Sequence, residues 1–303
     1  MGQPVFAILI STKNRRDELA VTLQRLSGIV NRDTEVVVYD DGSDDGTFEY
    51  VKTNFPSVLL LRNEKSQGYL YCRNKMLNNT LAEFAISLDD DANILSDYPL
   101  EEIKNYFFDH PKCGLIAMRI FWGSTEPVFK TSDEKPERVK GFVGCGHAWR
   151  MESWNKIPDY PEWFVFYGEE DFAAYELFRK NMEVHYLPAV LVHHRVDVRG
   201  RKIQKDYTRR LRHSLRSGWY LFFLFYPLKK IPGIFTYSIW MQLKKVFKGD
   251  FKALKALTQA SIDLLLAVPR IVRQRNGLTS KEYERYRQLA DTKIYWAPEM
   301  KAK

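Results

Sequence analysis

The sequence predicts an α/β protein in which helices flank an open, mostly parallel β-sheet, followed by an α-helical appendage. Short apolar segments alternate with segments of helical periodicity over the first half of the 303-residue chain. This alternation is typical of βαβ units. Carboxylates follow several of the predicted strands. The charge changes sign near residue 200, so we predict two parts, 1–200 and 201–303.

The first predicted strand, Val5–Ser11, is a continuous apolar run, as expected of a parallel strand that is covered on both faces. Leucines at helical spacing follow over Arg16–Leu26. The later predicted strands are Glu35–Tyr39, Val58–Arg62, Phe84–Leu88, Gly114–Ile120 and Val184–Arg195, and further helices are predicted over Thr47–Asn54 and Leu70–Ala82. Ligands of such sheets bind beyond the carboxyl ends of the strands.

Three consecutive carboxylates, Asp89, Asp90 and Asp91, follow the apolar strand Phe84–Leu88. Adjacent anions repel one another, and two aspartates separated by one residue point to the same side. This arrangement suits Mg²⁺ or Mn²⁺, which binds one or two carboxylates together with phosphate oxygens. A solvated acidic loop is the alternative. A second acidic cluster, which begins at Asp40, follows another strand and is predicted to meet the first at the same edge.

Several nucleotide-binding classes lack support in the sequence. No GxGxxG follows the first strand, and no GxxxxGK[ST] is present. A dinucleotide-dependent oxidoreductase and a P-loop nucleotidase are therefore disfavoured. A haloacid-dehalogenase-type phosphatase needs a DxDx[TV] loop after its first strand, where this chain has TKNR.

Four motifs occur in the order TKNR, DDGSDDGT, QGYLYCRN and SLDDDAN. In this order they resemble the nucleotide-binding half of the family 2 glycosyltransferases, which have the GT-A fold. The resemblance extends over roughly residues 4–200. It implies an inverting, metal-dependent enzyme that takes a sugar from a UDP-, dTDP- or GDP-linked donor, with Mn²⁺ or Mg²⁺ as cofactor.

The resemblance implies donor-binding roles for residues of these motifs. Asp40 would accept a hydrogen bond from the base, while Arg73 and Asn74 would lie beside the diphosphate and the sugar. A guanidinium can bind phosphate oxygens in bidentate fashion. Asp89 would face the ribose, and Asp91 would bind the metal together with Asp89. The other implied donor-binding residues are Thr12, Arg15, Asp41, Ser43 and Asp90. The alternatives are a helix N-cap at the DDGSDDGT motif and a surface helix position for Arg73.

A third acidic cluster, Glu169, Glu170 and Asp171, follows an aromatic run and begins a predicted helix. Acidic residues stabilise a helix N-terminus through its dipole, which is the structural alternative. Sugar transfer with inversion needs a carboxylate that takes the proton from the attacking hydroxyl. The segment resembles the family's ED motif, which implies Asp171 as the base and Glu170 as the residue that orients the acceptor. The adjoining Glu169 leaves the register open by one residue.

The family also has a histidine as a third metal ligand after a P-x-A-type strand. Here the predicted last strand ends in His193 and His194. Counting from Ala189 favours His193, whereas counting from Pro188 favours His194. Imidazole is a suitable ligand for Mn²⁺, and both histidines remain candidates.

Glycines in the segment Lys140–Arg150 allow the backbone to approach a ligand closely. Within it, Gly144, Cys145 and Gly146 resemble the small-residue loop that contacts the acceptor in the family. We expect this loop and Glu169 to lie at the acceptor side of the site.

The last 103 residues carry 23 Lys and Arg against 7 Asp and Glu, a net charge of +16, while the whole chain has +8. This asymmetry indicates an anionic partner. Ser217–Leu228 and Ile231–Leu243 are uncharged, aromatic and shorter than a membrane-spanning helix. Such segments between cations are typical of helices that lie in the membrane interface. The predicted lipid-contacting side chains are Trp219, Phe222 and Phe223.

A helical appendage that only packs on the sheet is the alternative to membrane binding. Nucleic acid is disfavoured as a partner because the apolar segments are too long for a phosphate-contacting surface. Three widely spaced cysteines indicate a reducing compartment. We therefore expect a peripheral enzyme on the cytoplasmic face of the cell membrane that extends a glycan, lipid-linked or free, in surface-polysaccharide synthesis. The rival interpretations are a non-catalytic membrane-bound scaffold and a nucleotidyltransferase.

Overall fold

The computed structural model describes residues 3–196 and 206–297, and the described residues form a nine-stranded sheet with helices on both faces. The strands are β1 (Phe6–Thr12), β2 (Thr34–Asp40), β3 (Leu59–Arg62), β4 (Phe84–Asp89), β5 (Ala92–Ile94), β6 (Cys113–Trp122), β7 (Glu137–Val139), β8 (Gly146–Arg150) and β9 (Glu183–His194). The helices are α1 (Arg16–Leu26), α2 (Thr47–Asn54), α3 (Tyr69–Asn79), α4 (Pro99–Asp109), α5 (Met151–Trp154), α6 (Glu169–Arg179), α7 (Tyr207–Phe225), α8 (Ile231–Phe247), α9 (Phe251–Gln274) and α10 (Ser280–Arg287).

The strand order is β3-β2-β1-β4-β8-β6-β9-β5, and β7 also pairs with β9. The strands β3, β2, β1 and β4 are parallel, as predicted for the first half of the chain. Beyond β4 the sheet is mixed: β8 is antiparallel to both β4 and β6, whereas β6 and β9 are parallel. Antiparallel neighbours need no crossover helix, and the chain joins β6 to β8 without one.

Both faces of β1 are buried, which explains its continuous apolar sequence. Ala7 and Leu9 belong to the core on one face, and Ile8 and Ile10 belong to the core on the other. Helices α1, α2 and α4 cover the second core, while α3, α5, α6 and the C-terminal helices cover the first. The prediction of a helix-flanked α/β sheet is therefore confirmed.

The C-terminal helices share the core of the sheet domain. In α7, Trp219 is only 1% exposed and its Nε1 donates a hydrogen bond to Ser238 Oγ of α8 at 2.9 Å. Phe225 stacks on Tyr175 of α6 with ring centroids 4.8 Å apart. Trp219 therefore packs between helices and does not face lipid, contrary to the sequence-based expectation. Its neighbours Phe222 and Phe223 are partly buried in the same cluster.

Among the described residues, no helix has both the length and the apolar character needed to cross a membrane. The predicted boundary between residues 200 and 201 lies outside the residues that the structure describes. The division into parts 1–200 and 201–303 stays a prediction, although the two parts contribute to one core.

Candidate active site

A cavity of about 780 Å³ lies at the carboxyl ends of the parallel strands. The register of the sheet brings these ends together, because Thr12 of β1 pairs with Asp40 of β2, and Ser11 pairs with Asp89 of β4. The volume is within the range of sites that hold small organic ligands. The cavity therefore lies at the same edge of the sheet as the acidic motifs.

Two carboxylates and one imidazole converge in this cavity. Asp89 ends β4, Asp91 follows two residues later, and His194 ends β9. One ligand atom from each lies within 4.8 Å of the other two, and His194 Nε2 is 3.0 Å from Asp91 Oδ1. His193 points to the opposite face of the strand, where its Nε2 lies 2.8 Å from the Gly123 carbonyl oxygen. The strand alternation thus selects His194 over His193.

Asp90 is held by two partners of the TKNR loop. Its carboxylate accepts hydrogen bonds from Thr12 Oγ1 at 2.8 Å and from Arg15 Nε at 2.7 Å. Burial raises the pKa of Asp90 to about 7, although the Arg15 charge opposes this. Burial also raises the pKa of Asp91, but His194 and Arg15 together outweigh it, so that this pKa lies below its usual range. Asp91 is therefore ionised at neutral pH.

The DDGSDDGT motif presents its second aspartate to the cavity. Asp40 is fully buried, where its Oδ1 accepts a hydrogen bond from Ser43 N at 3.0 Å and its Oδ2 lies 3.6 Å from Arg62 Nε. Asp41 lines the cavity. Its carboxylate accepts hydrogen bonds from Ser66 Oγ, Asn63 Nδ2, Gln67 N and Gly68 N. The structure therefore places Asp41 on the cavity wall, and Asp40 and Ser43 in the turn behind it.

In helix α3, the Arg73 side chain points into the cavity and the Asn74 side chain points away from it. Arg73 Nη2 donates hydrogen bonds to Asp89 Oδ1 at 2.5 Å and to the Gly144 carbonyl at 3.0 Å. Asn74 exchanges two hydrogen bonds with the backbone of Tyr160, one through Nδ2 at 2.9 Å and one through Oδ1 at 3.0 Å. Arg73 can therefore contact a bound anion, whereas Asn74 fixes a neighbouring segment.

The three carboxylates that begin α6 have different surroundings. Glu169 is buried; it accepts a short hydrogen bond from Tyr69 Oη, and its Oε2 has no hydrogen-bond partner within the described ranges. Glu170 lines the cavity, and its enclosed position, followed by the charges of its acidic neighbours, raises its pKa well above the usual value. Asp171 is absent from the cavity wall and its Oδ1 faces Gly141, where burial of the carboxyl and then the charge of Glu169 raise its pKa to about 6. Asp171, the residue predicted as the base, therefore lies outside the cavity wall, one helical position beyond Glu170.

The small-residue loop approaches Glu170 closely. Gly144 and Cys145 line the cavity, while Gly146 packs inside the sheet against Val192. A Cβ atom at Gly144 would lie 2.6 Å from Glu170 Oε1 and 3.1 Å from Arg73 Nη1. Any larger residue at this position would displace the carboxylate, so the absence of a side chain here shapes the site.

Residues 163–168, which we name the aromatic loop, form another part of the wall. Val165 and Tyr167 have positive φ angles of 65° and 68°, and a positive φ is rare for residues other than glycine, most of all for a β-branched one. Arg216 of α7 donates a hydrogen bond to the Phe164 carbonyl of this loop. The C-terminal region therefore supports a strained loop at the cavity.

Sequence reasoning did not identify several cavity residues. Tyr69, Arg195 and Arg210 line the cavity, and Arg195 also donates hydrogen bonds to Asn93 and Thr22 at 2.7 and 2.8 Å. Tyr69 lies inside the QGYLYCRN motif and Arg195 follows the histidine pair, so their positions in the sequence could have identified both as site residues. Arg210 had none, because α7 meets the cavity only through tertiary packing.

Comparison with known families agrees with the family resemblance of the motifs that line this cavity. The sequence profile described as glycosyl transferase family 2 matches residues 7–172. The chain belongs to glycosyl transferase family 2. The family 2 match ends within α6, so that His194 and the C-terminal helices lie beyond it.

One curated relative is the uncharacterized glycosyltransferase YfnE of Bacillus subtilis. It is 29% identical over 121 residues, which cover 38% of this chain and 31% of that protein. The family 2 chain thus matches about a third of the length of this relative.

Three solved structures have a similar fold at low identity. GalNAc-T7 with UDP, GalNAc and Mn²⁺ aligns with a TM-score of 0.60 at 15% identity, over 76% of this chain and 49% of that one. The mannosyltransferase PcManGT of Pyrobaculum calidifontis, in complex with GDP-Man and Mn²⁺, has a TM-score of 0.56 at 18% identity, over 88% and 76% of the two chains. TarS of S. aureus has a TM-score of 0.53 at 17% identity, over 68% and 38%. These similarities show that the fold is GT-A.

Proposed function

We propose that the protein is an inverting, metal-dependent glycosyltransferase that uses a nucleoside-diphosphate sugar. One observation carries the proposal: the cavity of this family 2 chain contains a carboxylate–imidazole cluster, a buried arginine and a separate, enclosed carboxylate. The cluster is Asp89, Asp91 and His194, the arginine is Arg73 and the carboxylate is Glu170. An anionic leaving group needs the metal-binding cluster and the arginine on one side of the reacting sugar. The acceptor hydroxyl needs the carboxylate base on the other side.

The residues of the cluster fit a divalent cation. Carboxylate oxygens and imidazole nitrogen form a donor set that suits Mn²⁺, and carboxylate oxygens alone also suit Mg²⁺. GalNAc-T7 and PcManGT, whose folds are similar, were solved with Mn²⁺. A bound ion would supply positive charge to the diphosphate of the donor. Asp89, Asp91 and His194 would hold it, and Arg73 would add a fixed cation beside them.

Glu170 is the proposed general base. Its carboxylate would take the proton of an acceptor hydroxyl, and the hydroxyl oxygen would form a bond to the anomeric carbon. The bond from that carbon to the diphosphate oxygen breaks, and the nucleoside diphosphate leaves with the electron pair. Burial raises the pKa of both Glu170 and Asp171, so position decides between them, and of the two only Glu170 lines the cavity. Glu169, oriented by Tyr69, keeps one oxygen for the acceptor.

The proposed donor half of the cavity is formed by the ends of β1 and β2. Thr12, Arg15 and Asp41 line it there. Arg73 donates hydrogen bonds to Asp89 and to the Gly144 carbonyl, so we place the proposed acceptor half beside Gly144 and Cys145. GalNAc-T7 was solved with UDP and PcManGT with GDP-Man, so uridine and guanosine donors are the first to test.

The proposed acceptor is a glycan on a lipid carrier, which the enzyme extends at the cytoplasmic face of the cell membrane during surface-polysaccharide synthesis. The net charge of +16 in the last 103 residues supports this proposal, since the surface of that leaflet is anionic. A soluble glycan acceptor would need no such charge.

Two nearly isosteric substitutions test the proposed base. Glu170→Gln should retain donor binding but lower kcat by roughly 10²–10⁴, the usual contribution of a general base. Asp171→Asn is the matched control on the next residue, and its kcat should stay within a few-fold of the parent protein. If Asp171→Asn loses turnover and Glu170→Gln keeps it, the base is Asp171 and the assignment from the cavity is wrong.

A further inference from the structure

Helix α9 has two apolar stripes, and the described residues cover one of them. The inner stripe packs on the other helices and consists of Ala253, Ala256, Ala260, Leu264, Ala267 and Ile271. The outer stripe consists of Phe251, Leu254, Ile262, Leu265, Leu266 and Val272, with exposed fractions from 41% for Leu254 to 76% for Leu266. A helix at a protein surface normally exposes a polar face. Within the part of the chain that the structure describes, nothing covers the second stripe of α9, which is an apolar surface.

Helix α8, which precedes α9, also exposes apolar side chains. Its exposed apolar residues are Tyr237, Trp240, Met241 and Phe247. Trp240 and Phe247 lie on one side of the helix, with ring centroids 6.4 Å apart, and the Lys244 ammonium lies 5.6 Å from the Trp240 ring. Only a short turn joins Phe247 to Phe251, the first residue of α9. We name the two exposed stripes together the hairpin face.

The charges around the hairpin face have one sign. Residues 228–273 contain nine Lys and Arg but only two acidic residues. Both acidic residues are engaged inside the bundle: Asp250 accepts hydrogen bonds from Ala253 N and Tyr207 Oη, and Asp263 pairs with Arg212 and Arg216. The exposed lysines beside the stripes are Lys244, Lys248, Lys252 and Lys255. The face is thus apolar along its stripes and cationic at its margins.

We propose that the hairpin face docks on the surface of an anionic lipid bilayer. Aromatic and aliphatic side chains would enter the boundary between headgroups and acyl chains, and the lysines would contact the headgroup phosphates. A second copy of this chain would bring a like-charged face, which costs Coulomb energy. The proposal rests on the proposed function in one respect, since it explains how the enzyme reaches a lipid-linked acceptor. It retains α8, which contains the predicted interfacial segment Ile231–Leu243, joins α9 to it and leaves out α7.

Co-sedimentation of the full chain with vesicles tests the proposal. Vesicles of phosphatidylcholine with about one third phosphatidylglycerol should bind the protein, and neutral vesicles should bind it weakly. The triple variant Trp240→Ser, Leu265→Ser, Leu266→Ser should lower the partition coefficient by about 100-fold, because three partly inserted side chains are lost. The matched control carries Phe108→Ser, Val128→Ser and Phe129→Ser. These three side chains are also exposed but lie on the sheet domain, so this variant should bind like the parent protein.

The electrostatic part has its own pair of variants. Each of Lys244→Gln, Lys248→Gln and Lys252→Gln should lower the partition coefficient by about fivefold at low salt, as expected from about 1 kcal/mol for each lysine near an anionic surface. Lys52→Gln, Lys75→Gln and Lys104→Gln remove exposed lysines of the sheet domain and should have no effect. Each variant should keep the thermal unfolding midpoint of the parent protein, since all these residues are exposed.

Three results would overturn the proposal. The parent protein could ignore anionic vesicles, the hairpin-face variants could bind as well as the controls, or the face could instead mediate a concentration-dependent dimer that the triple variant abolishes. Vesicle binding requires no turnover. A protein that binds vesicles but transfers no sugar would therefore refute the proposed function and not the hairpin face, whereas transfer without vesicle binding would do the reverse.

Discussion

The sharpest test of the link between the C-terminal helices and the cavity is a pair of arginine substitutions in α7. Arg212 and Arg216 both pair with Asp263 of α9: Arg212 through two hydrogen bonds of 2.5 and 2.6 Å, and Arg216 at 3.4 Å. Only Arg216 also donates a hydrogen bond to the Phe164 carbonyl of the aromatic loop. Arg212→Met and Arg216→Met therefore disturb the same aspartate but differ at the loop.

The expected loss of stability follows from these contacts. Arg212→Met removes a partly exposed ion pair, but Asp263 keeps Arg216, so we expect a loss of about 1–2 kcal/mol. Arg216 is buried, and Arg216→Met leaves the Phe164 carbonyl without this donor, so we expect about 2–3 kcal/mol. For a chain of this length, each kcal/mol corresponds to a shift of roughly 2–4 °C or less in the unfolding midpoint.

The effect on activity should separate the two variants more clearly. Without Arg216, the positive φ angles of Val165 and Tyr167 lose one restraint, and the aromatic loop on the cavity wall can relax. We expect kcat to fall by at least about tenfold in Arg216→Met, with donor binding unchanged, because about 1.4 kcal/mol of lost positioning has that effect. Arg212→Met should keep kcat within about twofold.

Steady-state kinetics at a temperature well below both unfolding midpoints would measure this difference. Arg216→Lys serves as a rescue variant, since an ammonium can donate to the same carbonyl. Equal kcat values for Arg212→Met and Arg216→Met would refute the argument that α7 positions the aromatic loop.

Three further predictions concern the cavity. Gly144→Ala should lower kcat by roughly tenfold or more, because a Cβ atom there meets the carboxylate of Glu170, whereas Gly141→Ala, which meets a threonine outside the cavity, should not; kinetics with saturating donor decide this. His194→Gln should lower the Mn²⁺-dependent part of nucleoside-diphosphate binding by about 10-fold or more, and His193→Gln should not, as isothermal titration with and without Mn²⁺ would show. The pKa of Glu170 is raised in the folded state, so its contribution to stability is complete below the pKa of the unfolded chain and is lost as the pH rises through the raised value. In urea unfolding, Glu170→Gln should therefore be more stable than the parent protein at about pH 9 but not at about pH 4. If the free energy of unfolding differs between the two proteins by the same amount at both pH values, the raised pKa is wrong.

The sequence predicted the first half of the fold well because its signals are local. The apolar runs of β1, β2 and β4 and the leucine spacing of α1 report burial directly. The mixed second half was not predicted, since the direction of β8 depends on how the chain returns after β6. Periodicity indicates a strand but carries no information about the direction of its neighbour.

The site residues show a similar limit. Motif order located the cavity, but the choice between neighbouring residues depended on backbone geometry. Strand alternation separates His194 from His193, and one helical position separates Glu170 from Asp171. The burial of Trp219 is a tertiary effect, because an aromatic segment between cations has the same sequence whether it faces lipid or another helix.

The most direct test of the central claim is the identity of the products. The full-length protein, incubated with Mn²⁺, glycan-bearing membranes and UDP-, dTDP- or GDP-sugars in turn, should release the nucleoside diphosphate from one donor class. Proton NMR should show that the transferred sugar has the opposite anomeric configuration to the donor. Glu170→Gln should reduce the release by at least about 100-fold. Release of pyrophosphate, retention of configuration, or equal release by Glu170→Gln would contradict an inverting glycosyltransferase with Glu170 as its base.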